Sequence, residues 1–250
     1  MKPSLVDLLE PRLAPLDLGH RLTLAREVIP GRIVFTTSFG LEDQWITHTI
    51  FTQGLDIEVS TLDTGRLFPE TYDLWERTEA RYAQRIAAVY PSPEPLEAFV
   101  REHGVNGFYR SVENRKACCH IRKVEPLARL LAGASAWITG LRADQSSARA
   151  DVAMVEYDEA HRLVKLNPLL DYPRDAIVAL TEEFDVPINE LHAKGYLSIG
   201  CAPCTRAVRP GESERAGRWW WEEDEKKECG LHVGDDGVPR RPPARQATTR

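Results

Sequence analysis

The stretch GRIVFTTSFG, residues 31–40, begins with apolar and β-branched residues, turns polar and ends at a glycine. This pattern predicts a buried β-strand that opens into a loop. The residues that follow, LEDQWITHTIFTQG at 41–54, have the apolar spacing of an α-helix. A strand, a polar turn and a helix in this order are typical of the repeating unit of an α/β protein.

The same unit recurs along the chain. Further strands are predicted at 55–65, 86–93, 135–146 and 161–172, and helices at 69–85 and 173–185. This alternation predicts a mostly parallel sheet flanked by helices. Ligands of such sheets bind beyond the carboxyl ends of the strands, so the polar turns that end three strands should line one crevice. These turns are TTSFGLED (36–43), LDTG (62–65) and TGLRADQS (139–146).

The composition is that of an ordinary globular protein. Its 250 residues, 42% hydrophobic and 28% charged, suffice for a sizeable core. A net charge of −6 argues against a general nucleic-acid binder. The first residues carry acids and prolines, unlike a signal peptide, and no apolar run approaches the roughly 20 residues that cross a membrane. We therefore expect a cytoplasmic protein with reduced thiols and no membrane partner.

The composition changes after about residue 210. Residues 1–210 are predicted to form the α/β domain, and residues 211–250, charged and containing Gly and Pro, a mobile or lightly docked tail. Three consecutive tryptophans at 219–221 are costly to expose. We interpret them as a patch that docks the tail onto the domain.

The TTSFG turn has two interpretations. Hydroxyl groups beside backbone N–H groups at a helix N-terminus suit an anion such as phosphate. Alternatively, Ser38 simply caps the helix. The turn has neither the GK[ST] of a Walker loop nor the G-x-G-x-x-G of a dinucleotide fingerprint.

Five cysteines form two close pairs and a singleton: Cys118–Cys119, Cys201–Cys204 and Cys229. A C-x-x-C pair alone suits a redox dithiol, but two pairs together more often bind one metal ion or cluster. Adjacent cysteines must splay apart to reach two different atoms, which a polynuclear cluster provides and a single zinc ion does not. Four unrelated buried cysteines are the alternative.

Basic residues surround the adjacent cysteines and recur later in the chain. The set is Arg115, Lys116, Arg122, Lys123, Arg142, Arg149, Arg215 and Arg218. Charged residues usually form a solvated face, but cations here would offset the negative charge of four thiolates and attract an anionic substrate. The singleton Cys229 is then either an accessible nucleophile or an incidental surface thiol.

Several motifs together resemble one enzyme family. RKACCHIRKVEPL, GYLSIGCAPCTR, ERAGRWWWEE and KECGLH are similar to motifs of the iron–sulfur assimilatory sulfonucleotide reductases. These are the adenylyl-sulfate (APS) reductases, related to the phosphoadenylyl-sulfate (PAPS) reductases. SFGLEDQ, LDTGRLFPETY and GLRADQSSAR match the same family, so that the resemblance covers residues 30 to 233. It implies an adenine-nucleotide α-hydrolase-like α/β fold.

The resemblance also implies roles for individual residues. Four cysteines match the ligands of one [4Fe–4S] cluster: Cys118, Cys119, Cys201 and Cys204. Cys229 matches the catalytic nucleophile, and His232 follows it in the terminal motif. Residues matching the adenosine-phosphate pocket are Thr37, Ser38, Gly40, Leu62, Thr64 and Gly140, and those facing the phosphosulfate are Arg122, Lys123, Arg149, Arg215 and Arg218. Phe39 departs from the family pattern, because relatives often have Ser or Gly there and its side chain cannot donate a hydrogen bond.

The reaction implied is reduction of APS to sulfite and AMP through a Cys229 S-sulfonate, with a separate thioredoxin or glutaredoxin as reductant. The nearest alternative is a PAPS reductase or a dual APS/PAPS reductase, although PAPS-restricted relatives typically lack the cluster cysteines. A non-enzymatic zinc module would leave LDTG and Cys229 unexplained. An ATP-pyrophosphatase usually carries an SGGxDS loop, from which SFGLEDQ departs. The sequence leaves a homo-oligomer open.

Overall fold

The computed structural model describes residues 2–145, 149, 152–222 and 230–231. Its helices are α1 (Lys2–Leu13), α2 (Leu18–Val28), α3 (Leu41–Thr52), α4 (Pro69–Tyr82), α5 (Pro93–His103), α6 (Val112–Cys119), α7 (Glu125–Leu131) and α8 (Arg174–Glu183). Its strands are β1 (Ile33–Thr37), β2 (Glu58–Leu62), β3 (Ala87–Val89), β4 (Ala136–Ile138), β5 (Val155–Asp158) and β6 (Leu163–Leu166). A π-helical turn, His120–Val124, joins α6 to α7.

The strands form one sheet in the order β3-β2-β1-β4-β6-β5. Phe35 of β1 lies opposite Val59 on one side and Ile138 on the other, in parallel register. Only β5 runs antiparallel, against β6. The predicted mostly parallel sheet flanked by helices is therefore confirmed, with β1 as a central strand.

The two faces of β1 pack against different layers of helices. Ile33 and Phe35 are buried in a core with α1, α2, α3 and α8. Val34, between them, is buried in a second core with Trp137 and side chains of α7. Alternate residues of a strand point to opposite faces, so the apolar run at 33–35 covers both sides of the sheet. Burial of each such side chain stabilises the fold by roughly 1.5–3 kcal/mol.

Several predicted strands are shorter in the structure. The strand predicted at 135–146 is only Ala136–Ile138, because Thr139 turns its hydroxyl toward the side chain of Asn167 and the chain becomes a loop. The N-terminal helices and the antiparallel edge strand β5 were not predicted. α1 and α2 lack a strong apolar stripe in sequence, and β5 is only four residues long.

Residues 212–222, which we name the C-terminal segment, pack against the domain. Arg206 N–H donates to the Gly217 carbonyl at 3.0 Å, and Trp219 N–H donates to the Cys204 carbonyl at 3.0 Å. The boundary predicted at residue 210 stays a prediction. The rest of the predicted tail, 223–229 and 232–250, lies outside the described residues. Within the described part, no helix is long and apolar enough to cross a membrane.

Candidate active site

A cavity of about 190 Å³ opens at the carboxyl ends of β1, β2 and β4. We name it the nucleotide pocket, after the ligand that the sequence motifs predict for it. All three polar turns contribute to its lining, as predicted: Thr37, Ser38 and Gly40 from the first, Leu62 and Thr64 from the second, and Thr139, Gly140 and Gln145 from the third. The prediction of a single crevice is confirmed because parallel strands bring these turns to one edge.

The turn between β1 and α3 borders the pocket and fixes its own backbone through local hydrogen bonds. Phe39 has a left-handed φ of 59°, and its N–H donates to the Thr37 hydroxyl at 3.0 Å. Its ring is buried and stacks on Trp75, so it faces the core and leaves the pocket to its neighbours. The departure at Phe39 therefore removes no polar group from the pocket lining. Gly40 precedes α3 without a side-chain cap, so Ser38 is not the helix cap of the alternative interpretation.

Asp43 is a pocket residue that sequence reasoning missed. It accepts hydrogen bonds from the Ser38 N–H at 2.6 Å and the Ser38 hydroxyl at 2.7 Å. Burial raises the pKa of Asp43 to about 6, against the lowering effect of these two bonds. A Cβ on Gly140 would lie 2.1 Å from the Asp43 carboxylate, so only glycine fits there. Asp43 thus holds the turn between β1 and α3 against the turn that follows β4.

The four paired cysteines line a second, smaller cavity, which we name the cysteine cavity. Cys118 and Cys119 end α6 immediately before the π-helical turn, and Cys201 and Cys204 flank the short 3₁₀ turn Ala202–Cys204. All four are buried and unbridged. They pack in one cluster with Phe99, Phe108 and Trp219, which shield them from solvent. The prediction that the two pairs converge is confirmed.

The donor set fits a polynuclear cluster better than one ion. In the described part of the chain, no three Cys, His, Asp or Glu side chains are grouped closely enough to hold a metal ion. Four thiolates around one cavity nevertheless match the ligand set of an iron–sulfur cluster, in which each binds a different iron. Cationic side chains also line the cavity and would balance thiolate charge: Arg66, Arg115, Arg122 and Lys123.

The thiols differ in their pKa values. Burial and the neighbouring thiols of Cys201 and Cys119 raise the pKa of Cys204 to about 12. Burial also raises the pKa of Cys118, against Arg122. For Cys201 burial acts in the same direction, but Lys123 and the other cations, with a hydrogen bond from Thr64, lower its pKa overall. The cationic side chains that line the cavity balance part of the charge of four thiolates, and a bound metal cluster would supply further positive charge.

Two residues join the cavities physically. Lys123 lines both of them. Thr64 lines the nucleotide pocket while its hydroxyl lies 3.3 Å from the Cys201 sulfur. Its carbonyl accepts a hydrogen bond of 2.5 Å from Arg122, which follows the adjacent cysteines. The nucleotide pocket and the cysteine cavity therefore share a wall.

Comparison with known proteins matches this architecture to a family. The family model for the phosphoadenosine phosphosulfate reductase domain matches residues 32–207. The chain belongs to this family. It is 52% identical to an adenosine 5'-phosphosulfate reductase of Agrobacterium fabrum, over 94% of this chain and 89% of that protein. A protein of the same name from Allochromatium vinosum is 51% identical over 87% of this chain and 85% of the other.

A solved structure of the phosphoadenosine phosphosulfate reductase family has the same fold. It is the phosphoadenylyl-sulfate reductase of Candida auris in complex with phosphate, with a TM-score of 0.69 and 29% identity. The match covers 81% of this chain and 96% of that one. The family fold predicted from the sequence motifs is thus confirmed.

The C-terminal segment contributes a basic wall to the pocket of this reductase-family chain. Arg215 and Arg218 line the nucleotide pocket, opposite Lys123 and Arg149. Arg218 lies against Gly200, where a Cβ would be 2.3 Å from its guanidinium, and donates to the Ile199 carbonyl at 3.2 Å. The glycine of the GYLSIGC motif therefore makes room for this arginine.

Not every predicted basic residue faces the pocket. Arg122 lines the cysteine cavity and is absent from the lining of the nucleotide pocket described here. Arg142 and Arg115 are fully buried in ion pairs with carboxylates, so their charge serves the protein itself. Lys116 is exposed. The predicted roles of Cys229 and His232 fall on residues outside the described part.

The tryptophan run docks the segment as predicted. Trp219 is buried between the guanidinium groups of Arg115 and Arg218, 4.9 and 4.8 Å from its ring centre. Trp221 packs on Tyr109 at 4.5 Å between ring centres, whereas Trp220 stays 40% exposed. Farther along, Leu231 also lines the nucleotide pocket. The chain beyond Glu222 thus returns to the pocket within two residues of Cys229.

Proposed function

We propose that this protein reduces adenosine 5'-phosphosulfate to sulfite and AMP in sulfate assimilation leading to cysteine. The observation that carries the proposal is the pocket shared by three elements. The turn after β1, a basic wall and Leu231 of the KECGLH motif all border one cavity, and Lys123 connects it to the cysteines. The names of the relatives at 51–52% identity support APS as the substrate.

The pocket residues have separate tasks in this proposal. The first backbone N–H groups of α3, at Leu41 and Glu42, bind the α-phosphate, and the turn that includes Ser38 and Gly40 places them at the pocket. Lys123, Arg149, Arg215 and Arg218 bind the sulfate and stabilise negative charge that develops on the leaving phosphate oxygen. Leu62 and Gly140 border the adenosine. The backbones of Leu62 and Gly140 allow the adenine base to approach closely.

The chemical step is a thiolate displacement at sulfur. The Cys229 thiolate attacks the sulfate sulfur, a sulfur–sulfur bond forms, and the bond from sulfur to the phosphate oxygen breaks, which releases AMP. A dithiol protein, thioredoxin or glutaredoxin, then attacks the Cys229 sulfur and releases sulfite. Its second thiol resolves the mixed disulfide, so the two electrons come from the dithiol and Cys229 returns as a thiolate.

A [4Fe–4S] cluster is proposed for the cysteine cavity, with Cys118, Cys119, Cys201 and Cys204 as ligands. When bound, it supplies a charged, polarisable group beside Lys123 and ties the two cysteine segments together, without net redox chemistry. Thr64 and Lys123 then hold the shared wall between this site and the sulfate. The cytoplasmic location and a homo-oligomer remain predictions.

Trapping the intermediate tests the proposal. The purified protein is incubated with APS labelled at sulfur, without reductant, then digested and mapped by mass spectrometry. We expect label on Cys229 alone and its release as sulfite when thioredoxin is added. Label on another cysteine, or none, would overturn the mechanism. Parallel assays with PAPS decide the alternative, because equal turnover of both would indicate a dual reductase.

A further inference from the structure

We propose that Glu214 is a positioning residue: its ion pair with the buried Arg142 holds Arg215 and Arg218 against the nucleotide pocket. The inference rests on the proposed function, because it concerns how the same pocket binds the phosphosulfate. Glu214 belongs to the C-terminal segment, which enters the site from a part of the chain distant from the three strand turns.

Arg142 is a buried junction between three parts of the fold. Its side chain is wholly inaccessible, and its Nε donates to Glu42 of α3 at 2.7 Å. Its Nη2 donates to Glu214 at 2.6 Å, 72 residues away in sequence. Its Nη1 donates to Asp144 in its own turn. The start of α3, the turn after β4 and the C-terminal segment therefore meet at one guanidinium.

The charge of Arg142 is used within this junction. Three carboxylates surround one guanidinium, so Arg142 has no capacity left to attract an anionic ligand. Glu214 itself lines the pocket, but a carboxylate there repels sulfate and phosphate. Its contribution to binding an anionic substrate must therefore be indirect.

The indirect contribution lies in the neighbouring residue. Arg215 follows Glu214 directly and lines the pocket, and Arg218 lines it one turn later. Between them, Arg218 N–H donates to the Arg215 carbonyl at 2.9 Å. A segment held at Glu214 thus presents both guanidinium groups from a fixed backbone. Such pre-organised cations bind an anion more tightly than cations on a loose segment.

Because Arg142 pairs with three carboxylates, one of them can be replaced in a controlled experiment. In Glu214→Gln, Arg142 keeps its bonds to Glu42 and Asp144, so no buried charge loses all its partners. The matched control is Glu212→Gln in the same segment. Glu212 pairs with Arg206 at 2.7 Å near the surface and lies outside the pocket lining. Both variants remove one carboxylate and keep side-chain size.

Binding of two ligands separates positioning from a general structural effect. APS carries the phosphosulfate, and adenosine lacks it. We expect Glu214→Gln to weaken APS binding roughly tenfold or more, the loss typical of one charged contact. Adenosine binding and thermal unfolding should change little, and Glu212→Gln should match the wild type with both ligands. The quantity compared between the variants is the ratio of the affinity for APS to the affinity for adenosine.

Two outcomes would overturn the inference. One is an unchanged APS affinity in Glu214→Gln, and the other is an equal loss for APS and adenosine, which a merely structural role predicts. The proposed function fails in a different way. If the wild-type protein itself bound APS no better than adenosine, the substrate assignment would be wrong before any variant was compared.

Discussion

Thr64 is the residue at which the two cavities are most directly connected. Its hydroxyl faces the Cys201 sulfur and also accepts the Arg66 N–H at 3.2 Å, while its carbonyl binds Arg122. Valine has nearly the same shape as threonine but lacks the hydroxyl. Replacing Thr64 by Val therefore removes the polar connection with little change in packing.

We expect Thr64→Val to release the proposed cluster faster to an iron chelator, with a loss of stability of about 1 kcal/mol. The rate is measured by loss of visible absorbance, and stability by thermal unfolding. Thr181→Val is the control, because its buried hydroxyl bonds only the Val178 carbonyl within α8. If the two variants released the cluster at equal rates, Thr64 would have no special role toward it.

The raised pKa of Asp43 predicts that the stability of the protein depends on pH. The folded pKa of about 6 exceeds the ordinary aspartate value of 3.8, so the native state binds this proton more tightly than the unfolded chain. The stabilisation is complete below the unfolded pKa and is lost as pH rises toward 6. Asparagine keeps the oxygen that accepts from Ser38 and has no charge to titrate.

We therefore expect the unfolding free energy of Asp43→Asn, relative to wild type, to rise between about pH 4 and 6 and then level off. Urea unfolding of both proteins across this range measures the difference. Since every other titrating group is common to both chains, their effects largely cancel. A difference that does not vary with pH would show that Asp43 titrates normally.

At the scale of elements, the adjacent cysteines depend on the π-helical turn. α6 ends at Cys119. The next residues, His120–Val124, form one wider π-helical turn before α7 begins. Such a turn inserts a residue into the helix and changes the direction of the side chains near it. This placement allows Cys118 and Cys119 to border one cavity while Lys123 reaches the nucleotide pocket.

A second buried ion pair anchors the far end of the C-terminal segment. Arg115 of α6 binds Glu222 through two bonds, 2.9 and 2.7 Å, and both side chains are nearly inaccessible. Arg142 shares its charge among three carboxylates, whereas Arg115 directs two bonds to Glu222. Loss of Glu222 would leave the charge of Arg115 buried beside Trp219.

We expect Glu222→Gln to destabilise the protein by roughly 3–5 kcal/mol, the usual cost of removing one partner of a buried ion pair. For a chain of this size the unfolding temperature should fall by roughly 10 °C. Calorimetry measures it, with Glu212→Gln as the comparison, because the pair of Glu212 with Arg206 lies near the surface and should contribute little. Equal shifts in both variants would mean that burial of the pair contributes little.

The elements also show what the sequence could predict. Strand β1, the helix after it and the crevice follow from local pattern, since Ile33, Phe35 and the turn at Thr37–Gly40 are contiguous. The convergence of the cysteine pairs follows from their spacing. The junction of Glu42, Arg142 and Glu214 escapes such reasoning, because it joins residues 72 and 100 positions apart. Asp43 escapes it for another reason: acidic residues usually lie on the surface, and nothing in the local sequence marks this one as buried.

For the whole molecule, the composition change near residue 210 does not coincide with the end of packing. The C-terminal segment supplies carboxylates to two buried arginines, Arg142 and Arg115, and the buried Trp219 to the apolar cluster that contains the four paired cysteines. The segment whose composition resembles a tail is therefore part of the folded domain as far as Glu222. Two truncated chains distinguish these boundaries.

The chain of residues 1–222 should fold with an unfolding temperature near that of the full protein, bind APS, and form no covalent adduct, because Cys229 is missing. The chain of residues 1–210 leaves Arg115 without its carboxylate and removes Arg215 and Arg218 from the pocket. It should lose at least the roughly 3–5 kcal/mol that breaking a buried ion pair costs, and with it APS binding. Calorimetry, titration with APS and mass spectrometry of labelled protein compare the two. Equal stability of both chains would place the boundary of the folded domain at residue 210 and would make the packing of residues 212–222 energetically unimportant.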